Sequence, residues 1–167
     1  TPMPDHLLSR EEREDIPATM MVREDRLDVD PKVFNSGQLT MLRDAAQEPS
    51  VQRIFVNAAI KKALCREARG DRSWLEKIRP WYGHDYHFHI RMRCPPDSSA
   101  CKGQRDQSEG DGCKPSDLAY WFKDSILHPE PPKEPQKPPH GITLAQLPAA
   151  CKEVLNAPNA KHYANKQ

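Results

Sequence analysis

Three of the seven histidines, His84, His87 and His89, fall within the stretch "GHDYHFHIRMRC", Gly83 to Cys94. In an extended strand, residues two apart project to the same side, roughly 6.5–7 Å from one another. His87 and His89 can therefore address one point in space. His84 stands three positions before His87, where strand parity alone would not bring it, but a turn at Gly83 would. Imidazole is the commonest metal ligand and, when neutral, a general base near pH 7. The HxH pattern thus points to metal chemistry, proton transfer or both. Two nitrogens are too few for a hydrolytic zinc site, which takes three protein ligands and leaves a position for water. The carboxylates of "EDRLDVD" (24–30) read as a solvated charged stretch. His6, His128, His140 and His162 read as surface residues in tails or beside prolines.

The elements that must position these imidazoles follow from periodicity. "HFHIRMRC" (87–94) alternates strictly and predicts a strand. His87, His89, Arg91 and Arg93 share one face; Phe88, Ile90, Met92 and Cys94 share the other, which is expected to meet a core. "VQRIFVN" (51–57) predicts a second strand, rich in β-branched and aromatic residues. Helices are expected over 37–47, through Leu39, Leu42, Ala45 and Ala46, and over 58–69, capped by Asn57 and stopped by Gly70. "DRSWLEKIRP" predicts a further short helix ended by Pro80. "SDLAYWFKDSI" (116–126) predicts another, with Leu118, Trp121, Phe122 and Ile126 on its apolar face. Ser9 and Glu12 form a capping-box pattern in a run without a sustained apolar face. Six prolines within 129–139 predict an extended, semi-rigid connector, followed by a short helix in "TLAQLPAACKEVL" and a polar tail. The expected fold is α+β: a small antiparallel sheet carrying the HxH strand, flanked by short helices, with a Pro-rich C-terminal extension. The expected segments are 1–127 for the main domain, 128–141 for the connector and 142–167 for the docking helix and tail.

Composition narrows the function. The 167 residues, 37% hydrophobic, suit one domain with a modest core. Lys+Arg 25 against Asp+Glu 24 gives no basic excess, so no nucleic-acid partner is expected. No apolar run approaches 18 residues, so no membrane-spanning helix is expected either. The five cysteines, Cys65, Cys94, Cys101, Cys113 and Cys151, are spaced by 29, 7, 12 and 38 positions, which fits no CxxC zinc knuckle. Several adjoin loop-forming segments, which suits disulfides in an oxidising compartment, with reduced thiols as the alternative. Their odd number leaves one thiol unpaired or bonded outside the chain.

"RIFVNAAIKKALC", "DRSWLEKIRPWYGHDYHFHIRMRCP" and "SEGDGC" together resemble the penicillin-insensitive murein endopeptidases of Gram-negative bacteria, over about Val51 to Phe122. The resemblance implies a zinc peptidase of the lysostaphin and D-Ala-D-Ala metallopeptidase group, periplasmic, with peptidoglycan as partner. It implies cleavage of the D-alanyl to meso-diaminopimelyl cross-link. Carried over residue by residue, His89 matches a Zn2+ ligand, His87 an active-site base toward the attacking water, and His84 a histidine suited to the developing oxyanion. The same resemblance implies disulfides Cys65–Cys113 and Cys94–Cys101, with Cys151 bonded to a cysteine outside this chain. The family's other two zinc ligands, spaced HxxxxxxD, have no counterpart: seven positions after His6 stands Arg13. A C-terminal part of such an enzyme is therefore expected, with an N-terminal segment of the same protein as its partner. The alternative is a non-catalytic wall-binding or interaction module that retains the HxH strand. A secreted inhibitor or effector on a disulfide framework rests on the cysteines and prolines alone.

Overall fold

The β-branched run "VQRIFV" forms β1 (Val51–Val56), the middle of a three-stranded sheet. In the computed structural model, which describes residues 5–16, 18–105, 110–130 and 141–157, β2 (Ile78–Pro80) runs parallel to β1 and β3 (His89–Met92) antiparallel. The fold is α+β, as expected, and the HxH strand is paired antiparallel. The sheet as a whole is mixed, because the segment read as a helix ended by Pro80 is a 3-10 turn at Ser73–Lys77 followed by β2. Ile78 there pairs with Ile54 and is fully buried, so sheet burial outweighs the local helical pattern.

Successive residues of β1 serve opposite faces. Ile54 and Val56 join Ile78, Leu42 and Ala46 of α2 (Ser36–Gln47), and Ala59, Ile60, Ala63 and Leu64 of α3 (Ala58–Glu67), in one apolar cluster. Each fully buried leucine or isoleucine contributes about 1.5–3 kcal/mol relative to exposure. Arg53 and Phe55 project the other way, beside Arg91 and His89 on β3 and Arg79 on β2. The helix starts follow their caps. Asn35 accepts from Gly37 N–H (2.8 Å) while its own N–H donates to Gln38 Oε1 (2.9 Å). Asn57 accepts from Ala59 N–H (2.9 Å) at the start of α3. The Ser9–Glu12 box forms α1 (Arg10–Asp15), which buries nothing, in keeping with its missing apolar face.

Two further expectations are corrected. The helix expected over 116–126 is broken into α4 (Pro115–Ala119), a 3-10 turn at Tyr120–Phe122 and α5 (Asp124–Leu127). The apolar face of the histidine strand does not meet a core throughout. Phe88 packs on the cluster, but Ile90 is 42% and Met92 53% exposed. The parity is right, since Ile90 sits opposite buried Ile54. β3 is an edge strand of the sheet.

The chain divides into two units, Thr1–Pro129 and Glu130–Gln167. In the second, a 3-10 turn at Leu144–Gln146 precedes α6 (Ala149–Leu155), which carries Cys151. Most of the expected Pro-rich connector, with His140, and the tail with His162 lie outside the described residues.

Candidate active site

The three imidazoles converge. Ring centroids are 5.0 Å apart for His84 and His87, 4.6 Å for His84 and His89, and 4.9 Å for His87 and His89. One ligand nitrogen from each lies within 4.8 Å of the others, the one such group of three or more His, Cys, Asp or Glu among the described residues. His89 sits on β3; His87 lies two residues earlier, outside the strand proper. His84 is brought in by backbone rather than by parity. Gly83 and His84 both adopt left-handed torsions, φ +63° and +58°. The second of these is uncommon for a side chain with Cβ and must be held by its surroundings.

Asn57 does much of that holding. Its N–H donates to His84 O (3.1 Å) and its side-chain amide to Gly83 O (2.8 Å), while its Oδ1 caps α3. Trp81 N–H donates to Val56 O (2.8 Å) and Met21 N–H to Asp85 O (2.7 Å), fixing the turn at both ends. Inside the turn, His84 Nδ1 lies 2.7 Å from Tyr82 O. A carbonyl only accepts, so Nδ1 carries the proton and Nε2 keeps its lone pair in the neutral ring. That Nε2 is buried and has no hydrogen-bond partner. His87 and His89 are exposed. The donor set is therefore three imidazoles, one of them positioned from the protein side with an unused nitrogen. It suits zinc or another imidazole-binding transition metal, or proton transfer.

An aromatic chain flanks the cluster: Phe55 meets Trp81, Trp81 meets Tyr82, and Tyr82 meets Trp121, at centroid distances of 5.7, 6.1 and 5.0 Å. The Tyr82 and Tyr120 hydroxyls are 2.5 Å apart, a bond that pushes the Tyr82 pKa up. Behind the aromatics, the 110–113 loop is tied down by the Cys65–Cys113 disulfide and by Arg72, whose Nη2 lies 2.8 Å from Asp111 Oδ2. The guanidinium holds the Asp111 carboxyl below its ordinary range.

A family model described as penicillin-insensitive murein endopeptidase matches residues 1–156. The chain belongs to that family. Proteins named penicillin-insensitive murein endopeptidase are similar to it: 45% identical over 139 residues in Haemophilus influenzae, covering 81% of the chain and 44% of the relative. The Pectobacterium atrosepticum relative is 40% identical over 144 residues (86% and 47%), and one from Salmonella newport 41% over 136 (81% and 47%). The chain thus spans less than half the length of these relatives.

Within this family frame, the cysteines bond as the resemblance implies, Cys65 to Cys113 and Cys94 to Cys101, leaving Cys151 without a partner in the chain. The histidines of the HxH stretch come together; His6 instead contacts Asp5 and Glu12, and His128 follows α5. Of the 24–30 carboxylates, Asp28 pairs with Arg66 (2.8 Å) and Asp25 with Arg23 (2.6 Å). Sequence reasoning saw Asn57 only as a cap. Its second role, holding the histidine turn, depends on a tertiary contact that no local pattern encodes.

Proposed function

We propose that this protein is a zinc-dependent murein endopeptidase, acting in the periplasm on the D-alanyl to meso-diaminopimelyl cross-link of peptidoglycan. The observation that supports it is the convergence of His84, His87 and His89 in a chain of this family. The imidazole cluster, with His89 open to solvent within it, fits a borderline metal such as zinc. When bound, zinc polarises a scissile carbonyl and lowers the pKa of water to about 7. His89 supplies a metal ligand. His87, with its ring 4.9 Å from that of His89 and open to solvent, takes the proton of the attacking water and returns it to the leaving amine. His84 has its Nδ1–H committed to the Tyr82 carbonyl, so protonation can occur only at Nε2, where it donates to the developing oxyanion.

The test is zinc content and turnover of the full-length protein on cross-linked murein peptides. His89→Ala loses stoichiometric zinc. His87→Ala and His84→Ala retain zinc and lose turnover by about 10²–10⁴-fold. Equal zinc loss in His87→Ala and His89→Ala would mean that the two roles are wrongly divided. A 19.1 kDa chain that holds no stoichiometric zinc and cuts no cross-links would overturn the enzyme reading for that species.

A further inference from the structure

We propose that the groove beside the histidines, on the same sheet face, is a carboxylate-binding subsite that Arg53 and Arg79 build for an acidic peptide substrate. It rests on the endopeptidase reading for the identity of the peptide, not for the presence of the subsite.

The placement follows from register. Phe55 is opposite His89 on one side and Arg79 on the other, and Arg53, on the same face, is opposite Arg91. Adjacent strands lie about 4.8 Å apart, so Arg79 starts about 10 Å from His89, the span of about three residues of extended peptide. Between β1, β2 and the 110–117 segment lies a groove of about 460 Å³, lined by Arg53, Phe55, Arg79, Trp81, Lys114 and Trp121. Its walls are aromatic and its floor cationic. Among the described residues two carboxylates also line it, Asp111 and Asp117. Asp111 is held by Arg72 (2.8 Å) and Cys113 N–H (3.0 Å), and Asp117 accepts from Lys114 N–H (3.2 Å).

The cations are held in place. Arg53, only 8% exposed, donates to Gln104 Oε1 (3.0 Å) and to Arg105 O, both uncharged, and its Nε has no partner. Burial and the nearby Arg53 charge push the Arg79 pKa down, against the opposing pull of Glu76 and Asp117. Gly112 fits against Arg79 because it lacks a side chain: a Cβ there would come 3.3 Å from Nη1. The loop that bears it is fixed by the Cys65–Cys113 bond and by Lys61 Nζ, which donates to Asp111 O (2.5 Å). Guanidinium groups match the planar geometry of a carboxylate, and the aromatic rings suit the hydrocarbon that carries it.

The experiment uses the zinc-loaded, full-length protein and two soluble cross-linked peptide dimers, one with free carboxylates and one with the same groups as carboxamides. The acid is cut with kcat/KM about tenfold or more above the amide. Arg79→Met removes that ratio, leaving kcat/KM for the amide within about twofold and zinc content unchanged. Lys114→Gln, at an exposed position on the rim, lowers the ratio about two- to threefold and covers the case in which Arg79→Met does not fold. Equal loss on acid and amide in Arg79→Met, or no preference in the wild type, overturns the proposal. If neither dimer is cut, the endopeptidase reading fails and calorimetric binding of the two dimers decides the groove. Tighter binding of the acid, lost in Arg79→Met, supports it; equal affinities overturn it.

Discussion

His84 shows how one residue's backbone sets a site. Its imidazole reaches the HxH pair only because Gly83 and His84 are both left-handed, and the Gly83 torsion is the one a side chain would resist. Nothing lies within 4 Å of a Cβ built at Gly83, so an alanine there meets strain without a clash. We expect Gly83→Ala to cost about 1–2 kcal/mol in urea unfolding. As the turn relaxes and His84 withdraws, turnover on murein peptides should fall roughly 100-fold with zinc content unchanged. Unaltered turnover would show that His84 reaches the site without this turn. The identity of the three residues was legible in the sequence, and so was the need for a turn at Gly83. That His84 shares the unusual torsion, and that Asn57 holds both carbonyls, was not, because those bonds join residues 26 or more positions apart.

At the level of elements, α2 was legible from its 3.6-residue apolar repeat, and α3 from that repeat together with its Asn57 cap. β2 was not, because Ile78 takes its conformation from a parallel partner in β1 rather than from its neighbours. The groove was invisible for the same reason: Arg53 and Arg79 meet through sheet register, and nothing in their local sequence joins them. The two disulfides also differ at this scale. Cys65–Cys113 spans 48 positions and ties α3 to the loop under the groove; Cys94–Cys101 spans 7 within one loop. Loop-closure entropy makes the first worth about 4 kcal/mol and the second roughly 2. Paired serine substitutions, compared by urea unfolding, should reproduce that order. The groove's preference for the carboxylate dimer should weaken only in the Cys65/Cys113 pair. The reverse order would mean that the long bridge does not constrain the unfolded chain.

For the whole molecule, the near balance of 25 basic and 24 acidic residues leaves little net repulsion to titrate. Exposed pairs such as Arg10–Glu14 and Arg23–Asp25 contribute little, because solvent screens them. Lys61 is different. It is fully buried, donating to Leu75 O (2.7 Å) and Asp111 O (2.5 Å). Burial pushes its pKa down to about 7, helped by Arg79 and Arg72 and opposed by Asp111 and Asp117. Between about pH 7 and the ordinary lysine value of 10.5 the unfolded chain holds a proton that the folded chain has released. Stability must therefore rise with pH across that window, by at most about 1.4 kcal/mol per unit, and the gain is lost as pH falls to 7. Lys61→Met has no amine to titrate, so the difference in unfolding free energy between wild type and variant should move in favour of the wild type from pH 7 to 9. Urea unfolding of both proteins at pH 7, 8 and 9 reads it directly. A difference that stays flat would mean that the buried amine is charged in the fold, with the two carbonyls and Asp111 stabilising it.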